Sequence, residues 1–236
     1  GHSSRHHYIM HKLLTVVIVT SPIQSNPEPD VFSYLVNSFR RIKRLNECPK
    51  YVICDGYRIA AGRSAFKSGR ITEVAAANYT LYKTNIRKLV QEADDDSSSP
   101  WNKLMVEEMQ EHLGFSYCVK FAVDHLVKTP FMMLVQHDRP FLRDFNLSLC
   151  IEAMQAHPEI QYLGLKTPKT RHCRGARGRT ARCEGTLITK SRIQVRELWF
   201  WYDSTHLART SKYREILGAR YGDAMSRAAQ LAAEAG

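Results

Sequence analysis

The sequence contains no uninterrupted apolar run of eighteen residues, which excludes a bilayer-spanning helix as a sequence prediction. Its longest apolar run begins at Leu13 and is broken at the polar turn Thr20-Ser21-Pro22, a length typical of a strand. Residues 1–7 are polar and lack the apolar core of a signal peptide. We therefore expect a soluble domain, which can also be one module of a larger protein, and cytoplasmic and Golgi-lumenal locations both stay open.

Several catalytic and metal-binding signatures are also missing. There is no P-loop, GxSxG, HExxH, GxGxxG or kinase motif. No CxxC spacing occurs among the six cysteines, so His172 beside Cys173 does not indicate a structural zinc site. Three cysteines stand in apolar runs, which predicts buried reduced thiols: Cys54, Cys118 and Cys150. Cys173 and Cys183 flank an arginine-rich stretch, and a disulfide between them stays open.

Acidic residues are scarce in one segment, residues 166–196, which we call the basic segment. Only Glu184 is acidic there, and ten residues are basic: Lys166, Lys169, Arg171, Arg174, Arg177, Arg179, Arg182, Lys190, Arg192 and Arg196. The segment supplies most of the net charge of +11. We expect a loop that suits a diphosphate leaving group, an anionic acceptor or nucleic acid. The absence of aromatic residues between Arg171 and Arg196 weakens the case for single-stranded nucleic acid.

The rest of the sequence alternates strand and helix patterns. The β-branched run from Leu13 to Thr20 predicts a buried parallel strand, and a helical pattern after Pro29 leads to a second strand, 51–54. Further on, the patterns predict a loop at 56–71, a helix at 72–93 capped by Thr72, a broken helical region at 101–128, strands at 131–136 and 160–165, and a helix capped by Asn146. The alanine-rich tail 224–235 predicts a further helix.

This alternation predicts an α/β fold with a mainly parallel twisted sheet flanked by helices. Residues 1–12 are expected to be a flexible N-terminal segment, and residues 13–236 a single catalytic domain. Within it, we assign 13–165 to a nucleotide-binding half and 166–236 to an acceptor-side half that contains the basic segment.

Three predicted strands end in small polar or acidic residues. The first ends at Thr20-Ser21, the second is followed by Asp55-Gly56, and the strand at 131–136 is followed by His137-Asp138. Because ligands of open α/β sheets bind outside the carboxyl ends of the strands, these residues form a candidate site. Asp138 is placed to hold a divalent cation that bridges phosphates, and Asp55 to accept hydrogen bonds from a nucleobase or ribose. The alternatives are an Asp138 that caps a turn, paired with Arg139, and an ordinary Asp-Gly turn at Asp55.

A second cluster combines aromatic and polar residues at 199–206. Asp203 and His206 are three residues apart and face the same way on a helical turn. Asp203 is a candidate base for an acceptor hydroxyl, and His206 a candidate metal or phosphate ligand. The alternative is a core strand followed by a helix cap.

Taken together, these segments resemble the nucleotide-sugar-dependent glycosyltransferases of the GT-A fold. The matching pieces are Thr15-Val-Val-Ile-Val-Thr-Ser-Pro22, Cys54-Asp55-Gly56, Met133-Leu-Val-Gln-His-Asp138 and Tyr202-Asp-Ser-Thr-His206. They lie within residues 13–215. The third piece occupies the place of the family's metal-binding DXD motif, but His137 stands where the first acid is expected.

The resemblance implies transfer of a sugar from a nucleoside diphosphate donor to an acceptor hydroxyl of a carbohydrate or glycoconjugate. Thr20 and Asp55 would bind the nucleoside, with Ser21 and Arg139 beside the donor. Asp138, alone or with His206, would bind Mn²⁺ or Mg²⁺ at the diphosphate. Asp203 would be the general base of an inverting enzyme. If no metal binds, the arginines at 171–182 would stabilise the departing phosphate.

Three other functions stay open at this point. A nucleotidyltransferase on a similar sheet also needs strand-end acids, but residues 21–24 contain no glycine or lysine after the first strand. A basic nucleic-acid-binding module fits the pI of about 9.5, although the aromatic pattern makes nucleic acid the weaker partner. A glycosyltransferase-like scaffold without activity would explain the missing DXD acid.

Overall fold

The structure is a computed structural model that describes residues 9–93, 96–165, 172–174, 180–182, 187–196 and 204–221. The strands are β1 (Leu14–Thr20), β2 (Lys50–Cys54), β3 (Arg58–Ile59), β4 (Arg70–Ile71), β5 (Leu104–Glu108), β6 (Phe131–Gln136), β7 (Tyr162–Gly164), β8 (His172–Arg174), β9 (Thr180–Arg182), β10 (Leu187–Lys190), β11 (Ile193–Arg196) and β12 (His206–Arg209). The α-helices are α1 (Met10–Leu13), α2 (Asp30–Ser38), α3 (Glu73–Glu92), α4 (Phe115–Phe121), α5 (Leu147–Ala156) and α6 (Thr210–Tyr221). A π-helical stretch, Ala122–Leu126, continues α4, and 3₁₀ turns lie at Phe39–Arg41, Leu45–Glu47 and Phe66–Ser68.

Six strands form the central sheet in the order β5-β2-β1-β6-β12-β7. β5, β2, β1 and β6 are mutually parallel, and β12 is antiparallel to both β6 and β7. β7 therefore runs in the same direction as β1. The prediction of an α/β fold with a mainly parallel sheet flanked by helices is confirmed.

Alternate residues of β1 enter two separate hydrophobic cores, one on each face of the sheet. Val16 and Ile18 pack on the face covered by α2, α3 and α5, and Val17 and Val19 pack on the face covered by α4 and α6. All seven residues of β1 are buried. This burial on both faces explains why the strand is a continuous apolar run rather than an alternating one.

The helix caps form at the predicted residues. Thr72 Oγ1 accepts a hydrogen bond from Ala75 N (3.3 Å) at the start of α3, and Asn146 Oδ1 accepts one from Leu149 N (3.1 Å) at the start of α5. Each cap satisfies one of the backbone donors that a helix leaves unpaired in its first turn.

Two predictions about local structure were wrong. Residues 101–128 were predicted to be helical, but they include the edge strand β5. Leu104 and Val106 pack on the sheet two residues apart, which is the period of a strand and not of a helix. The predicted loop character of the basic segment is only partly correct, because β8 pairs with β9 and β10 with β11 as two antiparallel hairpins.

Two further predictions concern the two ends of the chain. α1 precedes the expected boundary at residue 13, and Met10 is fully buried in the core. The predicted helix at 224–235 lies outside the described residues. Along the parts of the chain that the structure describes, no helix has both the length and the apolar character needed to cross a bilayer.

The prediction of buried reduced cysteines is confirmed. Cys54, Cys118 and Cys150 are buried free thiols, and so is Cys48.

Candidate functional site

The strand order of the sheet reverses between β1 and β6. From β1 the chain builds outward through β2 and β5 on one side, and through β6, β12 and β7 on the other. In open α/β sheets, ligands bind outside the carboxyl ends of the two strands at such a reversal, and we call this place between β1 and β6 the candidate crevice. We call the residues at the carboxyl ends of β1, β2 and β6 the rim: Thr20, Ser21, Asp55, His137, Asp138 and Arg139.

The β1 side of the rim begins with a buried threonine. Thr20 is fully buried, and its hydroxyl lies 3.2 Å from the hydroxyl of Tyr82 on α3. Its carbonyl oxygen accepts a hydrogen bond from Asp55 N (2.8 Å), which joins the ends of β1 and β2. Ser21 follows and is half-buried. Thr20 is thus held by the fold, and Ser21 is the residue of this pair with surface at the crevice.

Asp55 is almost completely buried, and its carboxylate faces the loop 109–114, which follows β5. Its oxygens accept hydrogen bonds from Leu113 N (2.8 Å) and Gly114 N (3.1 Å), and His112 Nδ1 lies 2.8 Å from Oδ2. The structure therefore shows Asp55 as the residue that fixes this loop over the end of β2. Its direct role in nucleoside binding stays a prediction.

Two glycines allow the loop 109–114 to approach so closely. A Cβ on Gly56 would lie 2.2 Å from the carbonyl carbon of Glu111, and a Cβ on Gly69 would lie 2.3 Å from the ring of His112. Gly69 also has a left-handed backbone, with φ of 64°. The sequence pattern predicted a broken helical region at 101–128, so this loop was not predicted. The Asp55-Gly56 pair was the local signal that a second chain segment packs there.

Tyr82 and Tyr79 support the rim from α3. Their rings stack with centroids 5.8 Å apart, and Tyr79 donates a hydrogen bond from its hydroxyl to the Asp55 carbonyl oxygen (3.0 Å). Burial raises the pKa of both phenols above their usual value. Both side chains therefore stay neutral and act through hydrogen bonds, so α3 sets the position of Thr20 and Asp55.

The β6 side of the rim carries the exposed charges. His137 Nδ1 lies 3.3 Å from the Val19 carbonyl oxygen and so crosses from β6 to β1 over the crevice. The side chains of Asp138 and Arg139 are 56% and 47% exposed, and Asp138 Oδ1 lies 3.8 Å from Arg139 Nε. Such a solvent-exposed pair is weakly held and free to exchange its partner for a ligand.

His206 lies inside the sheet rather than at the exposed edge. It is fully buried and pairs in register with Leu134, two residues before the end of β6. Its Nε2 lies 2.6 Å from the Tyr213 hydroxyl, and its Nδ1 lies 2.6 Å from the Ser204 carbonyl oxygen. Both ring nitrogens therefore already have protein partners, and its metal-binding role stays a prediction.

The remaining catalytic prediction, Asp203, lies outside the described residues. Within the described ranges, no group of three or more His, Cys, Asp or Glu side chains converges on a point that could hold a metal ion. The rim thus combines the exposed carboxylate of Asp138, the exposed guanidinium of Arg139 and the half-buried Ser21 at the carboxyl ends of β1 and β6.

Comparisons with known proteins gave matches at the level of structure. No protein-family model and no curated protein sequence matches the chain. A crystal structure of S. aureus TarS 1–349 in complex with UDP matches with a TM-score of 0.46 and 12% identity, over 86% of this chain and 48% of that one. The glycosyltransferase GlyE of Streptococcus pneumoniae matches with a TM-score of 0.38 and 8% identity, over 89% and 39%. A CMP:2-keto-3-deoxy-manno-octonic acid synthetase complexed with CTP matches with a TM-score of 0.42 and 8% identity, over 92% and 82%. The chain spans about half the length of the TarS 1–349 structures.

Proposed function

We propose that this chain transfers a sugar from a nucleoside diphosphate donor to an acceptor hydroxyl, in the crevice between β1 and β6. The observation that carries the proposal is the coincidence of the strand-order reversal with the exposed Asp138-Arg139 pair. The sheet geometry predicts a ligand at that point, and the motif at 133–138 is the one that resembles the metal-diphosphate motif of GT-A glycosyltransferases.

The rim residues divide into two roles under this proposal. Ser21, Asp138 and Arg139 reach solvent and would contact the donor, with the Arg139 guanidinium on a phosphate. Thr20 and Asp55 are buried and engaged by protein groups, so they would form the wall against which the nucleoside packs. A donor oxygen would replace water at the exposed residues, and this costs less free energy than breaking the buried hydrogen bonds of Thr20 and Asp55.

A divalent cation is compatible with this arrangement through Asp138. Mg²⁺ is commonly bound by one or two protein carboxylates together with substrate phosphates and water, and Asp138 offers one exposed carboxylate. When bound, the ion would neutralise charge on the departing diphosphate. The Arg139 guanidinium is permanently charged and lies beside Asp138, so it would add positive charge next to the diphosphate. Asp203 remains our candidate for the base that accepts the proton of the acceptor hydroxyl.

The proposal is tested by thermal shift with a panel of nucleoside diphosphates and their sugars, with and without manganese. A ligand at a hundredfold excess over its Kd adds about 2.7 kcal/mol, which in a chain of this size raises Tm by about 5–10 °C. We expect one nucleoside diphosphate to produce this shift and Asp138→Asn to abolish it. Glu92→Gln is the matched control, because Glu92 is 58% exposed and ends α3 at the opposite edge of the sheet.

Two results would contradict the proposal. One is the absence of a shift with every nucleotide in the panel, and the other is an equal shift in wild type and Asp138→Asn. Donor turnover then tests the base: Asp203→Asn should keep the nucleotide shift and lose transfer. Full transfer by that variant would place the base elsewhere.

A further inference from the structure

Residues 56–72, between β2 and α3, contain basic side chains and no acid, and the structure describes all of them. The basic residues are Arg58, Arg63, Lys67 and Arg70, and all four are exposed. Within the described ranges none of the four forms an ion pair, and their one side-chain hydrogen bond runs from Arg70 Nε to Ser68 Oγ (3.4 Å). Their positive charges are therefore not neutralised by protein carboxylates and stand open to an anion.

Two of these charges lie side by side. β3 and β4 pair in parallel with Arg58 directly opposite Arg70, and we call the two strands with their connection, residues 58–71, the ribbon. Its backbone is held by hydrogen bonds from Arg58 N to the Gly69 carbonyl oxygen (2.8 Å) and from Ala65 N to the Arg70 carbonyl oxygen (2.7 Å). Neighbouring strands are about 4.8 Å apart. Like charges directly opposite each other destabilise a strand pair, so the ribbon keeps two guanidinium groups together against their repulsion.

The ribbon is attached to the rim. Arg58 follows Asp55 by three residues, so the two Cα atoms are at most about 11 Å apart. At the other strand, Gly69 lies so close to the ring of His112 that a Cβ would be 2.3 Å from it, and His112 Nδ1 lies 2.8 Å from Asp55 Oδ2. The arginine pair is thus fixed near the carboxyl end of β2, by contacts between residues that the structure describes.

We propose that Arg58 and Arg70 together bind a phosphate monoester group of a second ligand. The proposal does not depend on the proposed function. A phosphate monoester carries a charge of about −1.5 to −2 at pH 7 and three acceptor oxygens, which matches two guanidinium charges. Each guanidinium can make two parallel hydrogen bonds to phosphate oxygens. A phosphodiester carries a single charge, so it would leave one of the two arginines without a counter-charge.

The donor's diphosphate does not account for this pair. The sheet order places β2 and β6 on opposite sides of β1, so their ends are about 10 Å apart, and the ribbon continues outward from β2. The proposed position of the diphosphate is at Asp138 and Arg139, which follow β6. Phosphates held there would not also reach Arg58 and Arg70. The monoester therefore belongs to a different phosphorylated molecule.

The first experiment measures the affinity for methyl phosphate by NMR titration. The test variant is Arg58→Gln/Arg70→Gln, and the control is Arg63→Gln/Lys67→Gln, which removes the same charge from the same ribbon at positions that are not opposite each other. We expect the test variant to weaken binding at least about tenfold, because charge-assisted hydrogen bonds are lost, and the control to weaken it less than about threefold. Equal losses in the two variants would overturn the proposal, and so would a wild-type Kd above about 10 mM.

The second experiment tests the chemistry of the ligand. Dimethyl phosphate should bind at least about fivefold more weakly than methyl phosphate, and methyl phosphate should lose affinity as the pH falls below about 6, where it becomes a monoanion while arginine stays charged. Arg58→Lys/Arg70→Lys keeps both charges but should also weaken binding, since lysine cannot make the two-point contact. Equal affinity for the two phosphates, or full affinity in the lysine variant, would overturn the proposal. Single-stranded RNA that binds more than about tenfold tighter than methyl phosphate per phosphate group would overturn it in favour of a nucleic-acid surface.

Thermal unfolding tests whether the pair has a structural role instead. Arg58→Gln/Arg70→Gln should have a Tm at least as high as that of the wild type without ligand, because the substitution removes repulsion between the two strands. A Tm lower by more than about 3 °C would contradict the proposal, because the arginines would then stabilise the ribbon themselves.

The donor site is scored independently in the same variants. Methyl phosphate should bind equally well when the best nucleoside diphosphate is saturating, and competition between them would overturn the proposal, because the pair would then hold the donor. Arg58→Gln/Arg70→Gln should keep its full thermal shift with nucleotide, and Asp138→Asn its full affinity for methyl phosphate. If no nucleotide stabilises the chain but methyl phosphate binds through the pair, the glycosyltransferase proposal fails and the monoester site stands. If nucleotide binds and methyl phosphate does not, the reverse holds.

Discussion

The two ends of β2 both carry a buried charged residue, and the protein uses them differently. Lys50 begins the strand, and its ammonium group donates to three carbonyl oxygens, those of Asn102 (2.7 Å), Asn46 (3.1 Å) and Cys48 (3.1 Å). Asp55 follows the strand, and its carboxylate accepts from backbone amides of the loop 109–114. Each charge organises a neighbouring loop, but only the loop at Asp55 lies at the rim. We call the amino end of β2, where Lys50 holds carbonyl groups within the fold, the closed end, and its carboxyl end, where Asp55 holds a loop beside the rim, the open end.

Substituting the residue at the closed end should have the largest effect on stability. Burial lowers the pKa of Lys50 to about 8, so the ammonium form still predominates at neutral pH and can donate to all three carbonyl oxygens. Lys50→Met keeps the length of the side chain but leaves three buried carbonyls without their donor, which we expect to cost about 4 kcal/mol. Urea denaturation measures this loss, with Lys88→Met, an exposed position, as the control. A loss of less than 1 kcal/mol would show that Lys50 is not needed to hold these loops.

At the open end, Asp55→Asn should cost less but act on a defined loop. Asparagine has the shape of aspartate and its oxygen can still accept from Leu113 N, but the amide nitrogen that replaces Oδ2 cannot accept the hydrogen bond from Gly114 N or pair with the His112 ring. We expect a loss of about 2–3 kcal/mol together with faster hydrogen exchange at the Gly114 amide. Glu107→Gln on β5, where the side chain is half-buried, is the control. Unchanged exchange at Gly114 would contradict the role of Asp55 in fixing the loop.

These two ends also show what sequence can and cannot predict. The continuous apolar run of β1, the cap at Thr72 and the acid after β2 are local patterns, so four sheet strands (β1, β2, β6 and β7), the helices capped by Thr72 and Asn146, and the rim residues were predictable, whereas β5 and β12 were not. Contacts between distant segments were not: the Asp55-Gly56 pair indicates that some chain segment packs closely there, but it does not identify residues 112–114 as that segment. The same holds for His206, whose buried partner Tyr213 lies across a strand-to-helix junction.

A substitution at Gly56 tests the open end from the other side of the contact. Gly56→Ala places a methyl group 2.2 Å from the Glu111 carbonyl carbon, so the loop 109–114 must move. Overpacking of this kind costs about 2 kcal/mol, and the displaced loop should also weaken nucleotide stabilisation. Gly62→Ala is the matched control, since a Cβ there meets no atom within 4 Å. Equal stability of the two variants would mean that the loop yields without cost.

The smallest expected effect concerns the support of the rim from α3. Tyr82→Phe removes the hydroxyl that lies 3.2 Å from Thr20 Oγ1 and leaves the stacked ring in place. Losing one hydrogen bond between buried neutral groups costs about 1 kcal/mol of folding free energy. Among the described residues, the Thr20 hydroxyl has no second hydrogen-bond partner that could replace Tyr82. Tyr34→Phe, at a ring that is 75% exposed on α2, is the control and should change stability by less than 0.5 kcal/mol. If Tyr82→Phe also reduces the thermal shift that the nucleotide produces, the Thr20 hydroxyl is part of the wall against which the nucleoside packs. If only the free energy of unfolding changes, α3 supports the fold and the donor contacts begin at Ser21.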